Sequence, residues 1–180
     1  MKVLIENRQK PTKISQQKIK RDSAVLLRLL GLKDAELSIL LVDDSRMRGL
    51  NHKYRGIDRT TDVLSFPQIS EKWKVGSEKL NKRKKMIKPS TSHFLFPTSH
   101  FLLGDVVINL QAAKRQAPEH GLSFNEELRW LLVHGVLHLI GYDHERSKYA
   151  ERKMRTKERE LLDYLRKDRN NACKTHNPVP

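Results

Sequence analysis

The segment HGVLHLIGYDH, His134 to His144, places three imidazoles in a stretch whose other residues read as the end of a buried helix. On such a helix His134 and His138 stand one turn apart on a single face, their Cβ atoms about 5–6 Å from each other. That spacing lets both rings reach one ion at about 2.0–2.1 Å. Gly141 can take the left-handed conformation that ends a helix and reverses the chain, which returns His144 toward the same point. The pattern H-x-x-x-H-x-x-G-x-x-H is therefore a geometric recipe for three nitrogens around one metal, and three protein ligands leave the fourth position of a catalytic zinc open. Ordinary hydrogen-bonded histidines are the competing account. Three of them at this spacing, with the glycine between, favour the ion. Any fold for the chain has to hold this helix against a core and still bring the chain back past it.

The same histidine spacing occurs in zinc peptidases whose helix reads H-E-x-x-H-x-x-G-x-x-H, where the glutamate is the general base. Gly135 stands in that place here and can neither take nor deliver a proton. A peptidase mechanism has lost its base, whereas a metal would still acidify a bound water and polarise a phosphoryl or carbonyl oxygen. Charge then separates the substrates. Lys and Arg number 36 against 21 Asp and Glu, a net +15 with histidine neutral. That excess either favours an anionic partner (nucleic acid, a ribosome surface, an anionic membrane) or sits in a few solvated runs. Combined with the histidines it favours phosphodiester cleavage. The one cysteine, Cys173, excludes an intramolecular disulfide framework and a cysteine-rich zinc site. No stretch approaches the roughly 20 apolar residues of a spanning helix. MKVLIENRQK turns polar too soon for a secretory signal. The expectation is a reducing, cytoplasmic compartment, with no membrane and no disulfide partner.

At 180 residues the chain is long enough for one domain with a real core. KVLIENRQ, AELSILLVDD, TTDVLSFP and FLLGDVVINL read as strands. Helices are expected over SQQKIKRDSAVLLRLLGL, with Ile19, Leu26, Leu29 and Leu30 inward, and over DSRMRGLNHKYRG, capped by Ser45 and ended by Gly56. QAAKRQAPEHG is a short helix. SFNEELRWLLVHGVLHLIG opens on the capping-box spacing of Ser123 and Glu126 and carries the first two histidines. ERSKYAERKMRTKERELLDYLRK is a last, charged helix with an intermittent apolar stripe. The fold expected is α+β, a single domain over residues 1–167 whose small mixed sheet of about four strands has helices packed on it. Residues 68–101 interrupt it as a long, basic, mobile insertion loop containing the near-duplicate TSHFLFP and TSHFLLG, and 168–180 is a disordered tail. His93 and His100 belong to that duplication, where a ligand role is disfavoured.

Three segments in order, NHKYRGIDRTTDVLSFP (Asn51 to Pro67), LLGDVVI (Leu102 to Ile108) and HGVLHLIGYDH, resemble the YbeY family. These are metal-dependent, single-strand-specific endoribonucleases of ribosomal RNA maturation. The resemblance runs from the first strand to about Leu165, omitting the insertion, where the family has a shorter and often acidic linker. It implies one zinc per chain held by His134, His138 and His144, and single-stranded and ribosomal RNA as substrate. The cellular role implied is maturation of the small-subunit RNA 3′ end and ribosome quality control, with the small subunit and its proteins as partners. The family's functional arginine falls on Arg55. A guanidinium there would fork onto two phosphate oxygens and offset charge developing at phosphorus. Read without the family, Arg55 is a helix-end charge for Asp58 or Asp62.

Asp105 and Asp143 are each either a partner for a ligand histidine's second ring nitrogen or a turn residue bonding its own backbone. Thr61 and Ser65 are further candidates for phosphate contacts. Two other readings stay open: a ribosome-associated RNA-binding assembly factor whose zinc is structural, and a metallohydrolase of another substrate.

Overall fold

Apolar residues at alternate positions build the sheet. β1 (Lys2–Asn7), β2 (Ala35–Val42), β3 (Val63–Pro67) and β4 (Phe101–Asn109) lie in the order β1-β2-β4-β3 in the computed structural model, which describes residues 1–9, 12–68 and 101–174. The first three neighbours run parallel, and β3 closes one edge antiparallel to β4. Five helices complete the described chain: α1 (Gln16–Leu29), α2 (Asp44–Arg55), α3 (Leu110–Glu119), α4 (Phe124–Leu139) and α5 (Lys148–Lys174). This is the α+β domain with a mixed four-stranded sheet that the sequence predicts.

Each face of the sheet has its own cover. Ile39 and Leu41 of β2 and Val106 and Ile108 of β4 belong to the larger core, with Leu26 and Leu27 of α1 and Leu131, Leu132 and Val136 of α4. Met154, Leu161 and Leu165 bring α5 into the same core. The alternate residues, Leu40, Val42, Leu64, Phe66 and Val107, point the other way and meet Met47 and Leu50 of α2. Thus α2 covers one face, and α1, α4 and α5 build up the other.

Several boundaries and faces differ from expectation. In α1, Leu27 is buried and Leu29 is exposed. The inward stripe is Ile19, Ser23, Leu26 and Leu27, and Ser23 is tolerated there because its hydroxyl donates to the Ile19 carbonyl at 2.7 Å. α2 starts two residues earlier than a Ser45 cap allows: Asp43 is the cap, its carboxylate accepting from Arg46 N–H at 2.9 Å. Its other end is as read, with Gly56 at φ 70°. α5 runs to Lys174, so the first part of the expected tail is helical, while 175–180 lies outside the described residues. The expected insertion also lies outside them except for its ends. Gln68 N–H donates to Leu103 O at 3.1 Å, and Phe101 begins β4.

One buried side chain ties the two faces together. Asn109, fully buried at the end of β4, caps α3 by accepting from Gln111 and Ala112 N–H. Its Nδ2 donates to Asp44 Oδ1 at 2.7 Å, to Thr60 Oγ1 at 2.9 Å and to Thr61 O at 3.1 Å. Asp44 also receives two hydrogen bonds from the Arg115 guanidinium, at 2.6 and 2.9 Å. Arg115 first, helped by Asn109, holds the Asp44 carboxyl at about 2, below its ordinary 3.8, against the opposing effect of burial.

Asn109→Ala removes the α3 cap and strands buried polar groups, so stability should fall by roughly 2–3 kcal/mol in urea unfolding.

Candidate metal centre

α4 begins where the sequence says it should: the Glu126 carboxylate accepts from both the N–H (3.0 Å) and the hydroxyl (2.7 Å) of Ser123. Its apolar side packs into the core, which leaves His134 and His138 half-buried on the remaining side. The helix ends at Leu139, and Gly141 takes φ 91° with its N–H donating to His138 O at 3.0 Å. Tyr142 N–H closes the turn on Leu137 O at 3.0 Å. This reversal carries His144 back to the other two rings, as the spacing predicts.

The ring centroids lie 4.7 Å apart for His134 and His138, and 5.2 Å apart for each of the pairs with His144. One nitrogen of each ring lies within 4.8 Å of the others, so the group could hold a metal ion. Two details fit such an ion. The Nε2 atoms of His134 and His138 face each other at 3.0 Å, close to the roughly 3.3–3.4 Å separation of two nitrogens in a tetrahedral set at 2.0–2.1 Å. Nδ1 of His144 is buried and has no hydrogen-bond partner among the described residues. Burial pushes the His138 imidazole below its ordinary pKa of 6.5, and the neighbouring His134 and His144 push it the same way; a backbone hydrogen bond with Tyr142 opposes them. The ring is therefore neutral at pH 7, the form that ligates.

Gly135 is more than an absent base. A Cβ there would lie 2.7 Å from Val106 Cγ1, 3.2 Å from Ser65 Oγ and 3.3 Å from Val63 Cγ2. The place that a peptidase fills with glutamate is closed by the sheet.

Arg55 does not touch the histidines. It is the last residue of α2, exposed, on the helix that covers the opposite face of the sheet from α4. The carboxylates that the sequence offered it have other partners. Arg48 takes Asp58 through two bonds of 2.7 Å. Asp62 accepts from Thr61 Oγ1, Val63 N–H and Gln116 Nε2. Among the described residues nothing pairs with Arg55, and His52 and Lys53 share its turn.

Neither Asp105 nor Asp143 reaches a ligand histidine. Asp105 accepts from Gln68 Nε2 at 2.7 Å, and Asp143 accepts from Glu145 N–H at 2.9 Å, the local turn bond of its alternative reading. Ser65 donates to Gly135 O at 3.0 Å, so its hydroxyl braces α4 on β3. His93 and His100 lie outside the described residues. The histidine's carboxylate partner is one the sequence reading missed: Glu158 Oε1 lies 2.7 Å from His134 Nδ1. Also missed is Trp130, one turn before His134, whose ring centroid is 5.2 Å from that of His134 and 5.7 Å from that of His120. His120 Nδ1 meets the wholly buried Glu127 carboxylate at 2.9 Å, which raises the His120 pKa. Trp130 and His134 stand at the i, i+4 spacing of one helix, a signal the sequence carried, whereas the Glu158 and His120 contacts join separate elements that only packing brings together.

The family model described as Endoribonuclease YbeY matches residues 4–166. A protein of Pelotomaculum thermopropionicum named Endoribonuclease YbeY is 47% identical over 134 residues, 73% of each chain. Proteins of the same name from Aquifex aeolicus and Persephonella marina are 39% and 38% identical, over 88% and 92% of this chain and 89% and 93% of theirs. A solution structure from Thermotoga maritima, 22% identical, superposes over 99% of both chains with a TM-score of 0.58, a likeness of fold.

Zinc at 100 times its dissociation constant should raise stability by about 2.7 kcal/mol, read as a higher melting temperature. The sign of the pH effect follows from His138. Its folded pKa lies below the ordinary 6.5, so its own contribution to stability is present above 6.5 and is lost as the pH drops below it, when the unfolded chain takes the proton first. Zinc stabilisation should fade in the same direction, as protons compete for the ligands.

Proposed function

The chain belongs to the YbeY endoribonuclease family, and on that premise we propose that it is a zinc-dependent endoribonuclease specific for single-stranded RNA. Its role in this reading is cytoplasmic ribosomal RNA processing, at the 3′ end of the small-subunit RNA and in ribosome quality control, with the small subunit and its proteins as partners. Residues 1–167 form one nuclease domain, into which the basic segment 68–101 is inserted. The observation that carries the reading is the convergence of three histidine nitrogens within 4.8 Å, two on α4 and one from the turn after it, beside a peptidase-base position that is sterically closed.

His134, His138 and His144 hold the ion, one per chain. When bound, zinc supplies Lewis acidity for a phosphoryl oxygen. Arg55 binds and neutralises the phosphate. Its guanidinium is unpaired among the described residues, so engaging RNA breaks no existing ion pair. α2 and α4 cover opposite faces of the sheet, and Tyr54 at the end of α2 packs on Phe66 of the edge strand β3 with ring centroids 5.0 Å apart. A strand of RNA that meets both Arg55 and the histidines therefore passes that edge. A flexible, unpaired strand follows a path around a sheet edge more readily than a stiff duplex, which supports the single-strand preference. The net charge of +15 suits a polyanion better than a small substrate.

A cleavage assay on single-stranded RNA tests the proposal. Wild type with stoichiometric zinc should cut it and spare duplex RNA. Arg55→Ala should lose about 10²–10³-fold in rate while staying folded and zinc-loaded, and His138→Ala should lose both zinc and cleavage. If the zinc-loaded wild type leaves single-stranded ribosomal precursor RNA intact, and His138→Ala only unfolds more easily, the ion is structural and the chain an RNA-binding assembly factor. KM should also climb steeply with salt, because backbone phosphates dominate such binding.

A further inference from the structure

α5 buries one acid that the chemistry above does not use. Its inward stripe is Met154, Glu158, Leu161 and Leu165, the i, i+4, i+7, i+11 spacing of a core-facing helix, with a carboxylate where an apolar residue belongs. Glu158 is 7% exposed. Two other α5 acids are paired on their own helix: Glu160 with Lys157 at 3.0 Å and Glu151 with Arg155 at 2.8 Å. A carboxylate in the core is unfavourable unless it is hydrogen-bonded, and a position that breaks the local pattern is where a functional requirement is to be sought. The partner of Glu158 is the His134 imidazole, Oε1 to Nδ1 at 2.7 Å, with the two side chains 10% and 14% exposed.

We propose that Glu158 is the positioning residue of the metal centre. An ionised carboxylate only accepts, so Nδ1 of His134 carries the hydrogen and Nε2 keeps its lone pair. That lone pair is aimed at the shared point, 3.0 Å from Nε2 of His138. Glu158 therefore selects the ligating tautomer and fixes the ring's rotation. Because the carboxylate rides on α5 and the imidazole on α4, docking of α5 and ordering of the metal site are coupled. The inference rests on reading the three histidines as zinc ligands.

The test uses the whole chain and needs no RNA. In metal-free protein, long-range ¹H–¹⁵N spectra read the His134 tautomer, and competition with a chelator of known affinity gives the dissociation constant for zinc. Wild type should show His134 as the Nδ1–H form. Glu158→Ala should show mixed tautomers and bind zinc about 10–100-fold more weakly. Glu158→Gln should fall between them, since the amide oxygen still accepts but the charge is gone, and it decides the matter if the alanine variant does not fold. Glu160→Gln, altering a half-exposed acid on the same helix, should match wild type. Zinc affinity and tautomer unchanged in folded Glu158→Ala or Glu158→Gln would overturn the positioning role and leave the zinc site standing. A wild type that binds no zinc would overturn the reading of the histidines, and this inference with it.

Discussion

The helix that carries the histidines lies so close to the sheet that one of its positions admits no side chain. At Gly135, Val106 of β4 and Val63 and Ser65 of β3 occupy the space of a Cβ, and the Ser65 hydroxyl pins the helix by donating to Gly135 O. The strand side makes a matching concession at Gly104, with φ 144° and a would-be Cβ 2.4 Å from Phe66 O and 2.9 Å from Leu139 Cδ2. These contacts fix the rotation of α4 as well as its distance. With Gly135 and Val136 turned into the core, His134 and His138 emerge beside α5, where Glu158 waits. The geometry of the histidine cluster is thus set from beneath by steric closure and from above by a hydrogen bond.

The opposite face depends on polar interactions. Asn109, Asp44, Thr60 and Arg115 lash the start of α2 to the end of β4 and the start of α3. Arg48 closes on Asp58 just beyond the helix end. These pairs engage Asp44 and Asp58, and among the described residues Arg55 is left with no carboxylate, so a chain with a large excess of positive charge presents an uncompensated guanidinium at the end of α2. Charge that is free to bind an anion here is charge that the fold has declined to neutralise.

What the sequence disclosed was whatever depends on short spacing. His134, His138, Gly141 and His144 lie within three helical turns, so their convergence is local geometry, and Gly56 and the Ser123–Glu126 box are equally local. The errors came where two acceptable residues compete. Asp43 and Ser45 can both cap α2, and the outcome turns on Arg46 N–H. Leu27 and Leu29 can both face inward, and Ser23 settles it by satisfying its own hydroxyl. Strand order, the loss of Asp105 and Asp143 as histidine partners, and the role of Glu158 were illegible for one reason. Each depends on which elements pack together, and an acid in a heavily charged helix reads as solvated until its neighbours are known.

The proposed function requires that three imidazoles hold one zinc and leave a position open. Zinc K-edge X-ray absorption on the loaded protein reads that shell. One zinc per chain is expected in a four-coordinate shell, three imidazole nitrogens and one further light atom at about 2.0–2.1 Å. A sulfur scatterer, a shell already filled by carboxylates, or no stoichiometric zinc at all would contradict it.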